Sequence, residues 1–214
     1  MNKKIIAVVI AVLVVVALGG YLLINNSNSN SSNKETGNNN SVKNDSSSNE
    51  DNIIEGGSNI LVLYFSESGN TETVANFIHD EVGGDLIKLE TVKAYPSDYD
   101  ELVDYAQEEQ RDDGRPELKT VIENIDSYDT IFLGYPNWWG DMPMPIYSFL
   151  DEYDLSGKTI APFITHGGSG LSGTPDNISS LEENATVTDG LAISGSSASS
   201  SKDDVTSWLS KLGY

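Results

Sequence analysis

The chain has no cysteine among its 214 residues. That excludes disulfides, thiolate metal ligands, a cysteine nucleophile and an N-terminal cysteine carrying lipid. Bases are also scarce: 12 Lys and Arg stand against 33 Asp and Glu, a formal net charge of −21. Residues 59–214 hold 8 of those bases and 28 of those acids, a charge of −20. A surface of that sign repels nucleic acid and anionic lipid head groups, and it suits a partner with a basic face. The sequence contains no internal repeat.

Three regions differ in composition. Residues 5–24 form an apolar run without a charge, preceded by Lys3 and Lys4. About 20 such residues cross a bilayer as a helix. Ala17, Leu18 and Gly19 could loosely serve a signal peptidase, but the apolar run continues beyond them through Tyr21 to Ile24, which favours an uncleaved anchor. Lysines before the span and none until Lys34 place the N-terminus in the cytoplasm and the rest of the chain outside the cytoplasmic membrane. If the segment is cleaved, the protein is secreted. Residues 25–58 are rich in Asn, Ser and Gly. They bury too little apolar surface to offset the entropy of ordering, and read as a disordered tether. Residues 59–214 read as one folded domain.

Within that domain, 60–65 is a continuous apolar run, the mark of a strand buried on both faces. Helical spacing over 71–81 puts Val74, Phe77 and Ile78 on one side. Further strands are expected at 85–90, 130–134, 159–165 and 185–194. Helices are expected at 98–112 (capped by Ser97), 145–153, 174–183 and 202–212. Strands alternating with helices imply an α/β fold, a parallel sheet covered on both faces in three layers.

The turn after the first strand reads Ser66, Glu67, Ser68, Gly69, Asn70, Thr71. Between a buried strand and a helix start, such a turn gathers free backbone N–H groups at the positive end of the helix dipole, which suits an anion. Three hydroxyls can donate to it, and Gly69 permits a tight turn. The loop has no Lys or Arg, so it is not a nucleotide-hydrolysing P-loop, and it lacks the three-glycine dinucleotide fingerprint. The net charge of the domain opposes an anion only weakly, because exposed charges beyond ~8 Å are screened at physiological salt. The nearby acids Glu67 and Glu72 are expected to point outward.

Two further loops follow strands. The first reads Gly134, Tyr135, Pro136, Asn137, Trp138, Trp139, Gly140, and the second Thr165, His166, Gly167, Gly168, Ser169, Gly170. Together with the Ser-x-Ser-Gly-Asn-Thr turn, this order of motifs resembles the flavodoxins over residues 59–214. The resemblance implies a doubly wound five-stranded sheet in the order 2-1-3-4-5, with FMN at the carboxyl ends of the strands, where the strand order reverses. It makes 66–71 the phosphate loop and 134–140 and 165–170 the loops flanking the flavin. Tyr135, Trp138 and Trp139 offer faces for stacking on a flat ring. Neighbours in an extended stretch point to opposite sides, so one of the two tryptophans is expected on the ring and the other in the core. The backbone at Gly167 and Gly168 allows close approach, and His166 would lie where the ring lies.

Three functions remain open. One is an electron-transfer flavoprotein, with acids that lower the flavin potential and attract a basic redox partner protein. Another is an NAD(P)H-dependent quinone or flavin reductase of the same fold, against which stands the lack of a basic cluster for a nicotinamide phosphate. The third is a binding module without flavin.

Overall fold

The first strand, β1 (Ile60–Tyr64), is buried along its whole length. Its apolar residues point alternately to the two faces of the sheet, as the strand period requires. Leu61 and Leu63 join one core and Ile60, Val62 and Tyr64 the other. The structure is a computed structural model, and it describes residues 59–214. The expected span at 5–24 and tether at 25–58 lie outside the described residues. Among the described residues no helix is long and apolar enough to cross a membrane.

Five strands follow β1: β2 (Asp85–Lys88), β3 (Thr130–Pro136), β4 (Thr159–His166), β5 (Thr186–Val187) and β6 (Leu191–Ser194). All pairings between these strands are parallel, in the order β2-β1-β3-β4-β5, with β6 also on β4. The order matches the expectation. Five helices cover the sheet: α1 (Asn70–Val82), α2 (Tyr99–Arg111), α3 (Met144–Glu152), α4 (Thr174–Leu181) and α5 (Lys202–Leu212). Val74, Ala75 and Ile78 of α1 and Val205, Trp208 and Leu209 of α5 pack against Val62, Phe132 and Phe163. Ile146 and Phe149 of α3 and Ile178 of α4 pack on the opposite face with Leu63, Ile131 and Leu133, and Leu102 of α2 joins them.

The single fifth strand expected over 185–194 is broken. β5 pairs with Thr159 and Ile160, and β6 starts again opposite Phe163, so one extra residue falls between them. The reason lies in β4. The Thr188 amide donates to the Ile160 carbonyl at 2.9 Å. The next residue of β4 facing this way is Pro162, which has no N–H to return to the ladder. The sheet accommodates the missing donor with a bulge at 188–190. The cap of α2 also differs from expectation: it is Asp98, not Ser97. Its Oδ1 accepts from the amides of Asp100 and Glu101 at 3.0 and 3.1 Å. A carboxylate on two amides next to the helix dipole is the stronger cap.

Gly134 in β3 is required by close packing. A Cβ there would fall 2.1 to 2.8 Å from ring atoms of Phe163, which is itself fully buried. Gly134→Ala should lower the free energy of unfolding by about 1–3 kcal/mol, the usual cost of overpacking a core. Denaturant titration should show a lower midpoint with an unchanged slope.

Candidate functional site

Strands β1, β3 and β4 end at the same edge of the sheet, and the three sequence motifs extend from those ends. The order reverses between β1 and β3, so the helices after them, α1 and α3, go to opposite faces and leave a crevice. Two cavities of about 360 and 370 Å³ occupy it. Ser68, Pro136 and Trp138 border both.

The 66–71 turn lies at the first cavity. Gly69 caps α1 with φ 81, in the left-handed region that favours glycine, and open space surrounds the place a Cβ would take. No side chain caps the helix, so the amides at its start lack an intrahelical partner. Ser66 is 2% exposed, and its Oγ has no hydrogen-bond partner. Leaving a buried hydroxyl unpaired costs about 1–3 kcal/mol. Such a group beside a cavity fits an acceptor supplied from outside the chain. The Thr71 hydroxyl is within 2.8 Å of that of Thr165, a buried bond joining the first motif to the third. Ser68 and Asn70 border the second cavity.

The two acids of this turn differ. Glu72 is engaged by Lys88 at 3.9 Å. Burial first, and the Glu72 charge second, push the Tyr64 phenol up to about 12. Glu67 is exposed, as expected, and also borders the first cavity. Partial burial raises its carboxyl above the usual range, and the Lys88 charge opposes the shift.

The aromatic motif requires two corrections. Tyr135 offers no face to a ligand: it is fully buried, and its hydroxyl donates to Thr174 Oγ1 at 2.9 Å. In β3 it points into the core because the strand continues through Pro136. Trp138 and Trp139 are also not in an extended stretch. Residues 138–141 form a tight turn closed by reciprocal backbone bonds between Trp138 and Asp141, each 3.0 Å. Trp139 takes φ 54 and Gly140 φ 81. The left-handed conformation costs a residue such as Trp139 roughly 1–2 kcal/mol. Trp138 is therefore both core and wall. It packs edge-on against Phe65 and Tyr95 at 5.3 and 5.5 Å and borders both cavities. Trp139 is 52% exposed, and its Nε1 donates to the Val103 carbonyl of α2 at 3.2 Å.

Asn137 joins the second and third motifs. Its amide N donates to the Thr165 carbonyl at 2.8 Å and its Nδ2 to the Gly170 carbonyl at 3.3 Å, while its Oδ1 accepts from Gly140 N at 3.1 Å. Asp141 anchors the turn, accepting from Met142 N, from Tyr147 of α3 and from Asn177 of α4. Thr165, His166 and Gly167 border the second cavity. His166 Nδ1 accepts from Gly168 N at 2.9 Å, which fixes the ring against its own loop. Gly168, Ser169 and Gly170 shape that loop without bordering either cavity.

Sequence reasoning missed two walls. Tyr95, Pro96, Ser97, Tyr99 and Leu102 close the first cavity, and Ser194, Gly195 and Ser196 close the second. Both groups follow strands, β2 and β6, at the same sheet edge. The rule that ligands lie beyond the carboxyl ends would have found them. The Tyr95 hydroxyl donates to Glu109 in a short bond, and burial with this carboxylate raises the phenol far above its ordinary value.

This geometry has counterparts in known proteins. A family model described as Flavodoxin matches residues 59–212. The chain belongs to the flavodoxin family. The crystal structure of a candidate flavoprotein from Bacteroides eggerthii is 31% identical over 72% of this chain and 98% of its own, with a TM-score of 0.64. The flavoprotein from Lactobacillus acidophilus in complex with FMN is 24% identical over 69% and 97%, with a TM-score of 0.53, a likeness of fold. Among curated relatives, an NAD(P)H dehydrogenase (quinone) of Acidovorax ebreus is 31% identical over 122 residues, 52% of this chain. The match spans 60% of that relative's length.

Two stability experiments test the geometry of the 66–71 turn. Without ligand, Ser66→Ala should leave the free energy of unfolding unchanged or raise it by up to about 1 kcal/mol, since it removes an unpaired group; Thr71→Val should lower it by about 1 kcal/mol, since it breaks a made bond. Urea titration that gives the reverse order contradicts the assignment. Glu67 has a pH signature. Its folded-state carboxyl binds the proton more tightly than the unfolded one, so its contribution favours the fold at low pH and declines as pH rises from the ordinary carboxylate value through the raised one. Glu67→Gln should therefore stabilise the domain more at pH 7 than at pH 4, measured by the same titration.

Proposed function

We propose that residues 59–214 bind FMN and act as an electron carrier, held at the outer face of the cytoplasmic membrane by the N-terminal segment. The observation that carries the cofactor assignment is the unpaired, buried Ser66 hydroxyl at the uncapped start of α1. The loop offers an anion Ser66, Ser68 and Thr71 hydroxyls with backbone amides, and no base. That set suits a single phosphate, where each hydrogen bond to a charged acceptor is worth about 1.5–3 kcal/mol. Family membership and the FMN-bound flavoprotein of the same fold support the same cofactor. When bound, FMN supplies the electron storage.

The residues around the cavities supply position and field. Trp138 offers a rigid aromatic wall, because its other side is fixed against Phe65 and Tyr95. Asn137 holds the two flanking loops at a fixed spacing. Gly167 leaves the second cavity open above its backbone. Glu67 puts negative charge at the cavity wall, which lowers the potential of an electron carrier bound there. The charge of −20 on this part of the chain favours a basic protein as redox partner. The outward location rests on the apolar run at 5–24 and on Lys3 and Lys4 before it. One observation favours a second reading, a nicotinamide-dependent quinone reductase: the similarity to the Acidovorax ebreus enzyme.

Three measurements test these readings. Ser68→Ala combined with Thr71→Val should weaken FMN on the order of tenfold or more while weakening riboflavin less, since only FMN carries the phosphate. Equal losses by fluorescence titration would remove the phosphate assignment. Chemically reduced protein should pass electrons to a basic acceptor protein at stopped-flow rates that fall as salt rises, and NADH or NADPH should reduce it slowly. Fast, saturable reduction by either nicotinamide would select the reductase. For the location, protease added to intact, wall-stripped cells should release the soluble domain; protection until lysis would reverse the topology.

A further inference from the structure

Beside the first cavity is a third recess, of about 250 Å³, between α2 and the 138–141 turn. Tyr99, Leu102, Val103, Ala106, Trp138 and Trp139 form it, and Asn137 completes it. Tyr99, Leu102 and Trp138 also border the first cavity, so a molecule in the recess would be next to whatever the cavity holds.

Its chemistry is restrictive in three ways. No lining residue carries a charge, and the first turn of α2 beside it brings Asp98, Asp100 and Glu101. That disfavours a ligand that places a phosphate in the recess, and admits a neutral one. The volume lies below the ~300–1,000 Å³ usual for drug-sized ligands, which fits one small ring system. The walls are electron-rich aromatic faces, Tyr99 at 75% exposed and Trp139 at 52%. Such faces prefer an electron-poor flat partner.

Trp139 supplies independent evidence. The turn holds it at φ 54, where glycine would be unstrained, and its Nε1 is tied to the Val103 carbonyl. The turn and the Nε1 bond together fix a half-exposed aromatic side chain at the wall of the recess, at a cost in backbone strain. We infer that this recess binds a neutral ring of the quinone class. The inference rests on the flavin reading only in making that ring a neighbour of the cofactor; the recess exists without it.

The test is equilibrium dialysis of 1,4-naphthoquinone against the full chain, with and without saturating FMN. The absence of cysteine removes thiol addition as a source of uptake. Saturable uptake at one site per chain is expected, persisting when FMN is present. Trp139→Ala should weaken it by about tenfold, and Trp139→Phe, which keeps a flat face, by about threefold or less. FMN affinity, read separately from flavin fluorescence on the same proteins, distinguishes failure of the flavin reading from failure of this one. No saturable uptake, or equal uptake by Trp139→Ala and wild type, would overturn the inference. So would loss of uptake on adding FMN, which would assign the recess to the flavin's own ring. Displacement of naphthoquinone by NADH at comparable concentration would overturn the neutral-ligand assignment.

Discussion

β1 has a strand hydrogen-bonded on each side, and the rest of the site depends on that central position. A parallel strand in mid-sheet is covered on both faces, so its sequence must be apolar throughout, and it ends at an edge where the chain must turn to one face or the other. After β1 the chain turns into α1; after β3 it turns to the opposite face. The crevice between these exits is a consequence of strand order, and no side chain had to be chosen to open it. What the side chains decide is its lining: hydroxyls and free amides on the β1 side, an aromatic turn on the β3 side, glycine-rich backbone on the β4 side.

The lining is fixed by bonds that run between loops. Thr71 and Thr165 share a buried hydrogen bond across the floor, and Asn137 fastens the aromatic turn to the loop after β4. Asp141 ties the same turn to α3 and α4. Each loop is held by the others, which allows Trp139 to remain in a conformation it would not adopt alone. Against this connected frame the Ser66 hydroxyl stands out as a donor without a partner, and its position beside the cavity gives it a functional reading.

Electrostatics acts at two ranges. The total charge is strongly negative, yet it is spread over exposed carboxylates, several of them paired with the domain's few bases. Donors within hydrogen-bond reach of a phosphate outweigh that diffuse charge, so an acidic protein can hold an anion at one point while its surface field selects basic partners. Glu67 lies between these regimes, close enough to affect whatever fills the cavity.

Much of this was legible in the sequence because it is set by local periodicity. The apolar run at 60–65 specifies a buried strand, the hydroxyl turn precedes a helix with a clear apolar face, and the motifs fall in the order their strands do. Tertiary structure decided the rest, wherever the outcome depends on residues far apart in the chain. Tyr135 is core because β3 extends one pleat further and Thr174 waits to accept its hydroxyl. The two tryptophans divide their roles because a turn replaces the extended segment that adjacency suggested. The fifth strand breaks because Pro162, in a different strand, has no proton to give it. Tyr95 and Tyr99 become walls only when the loop after β2 folds over the end of β1. Spacing along a chain records which face a residue takes within its own element; which partner it meets there is settled by packing between elements, which spacing does not encode.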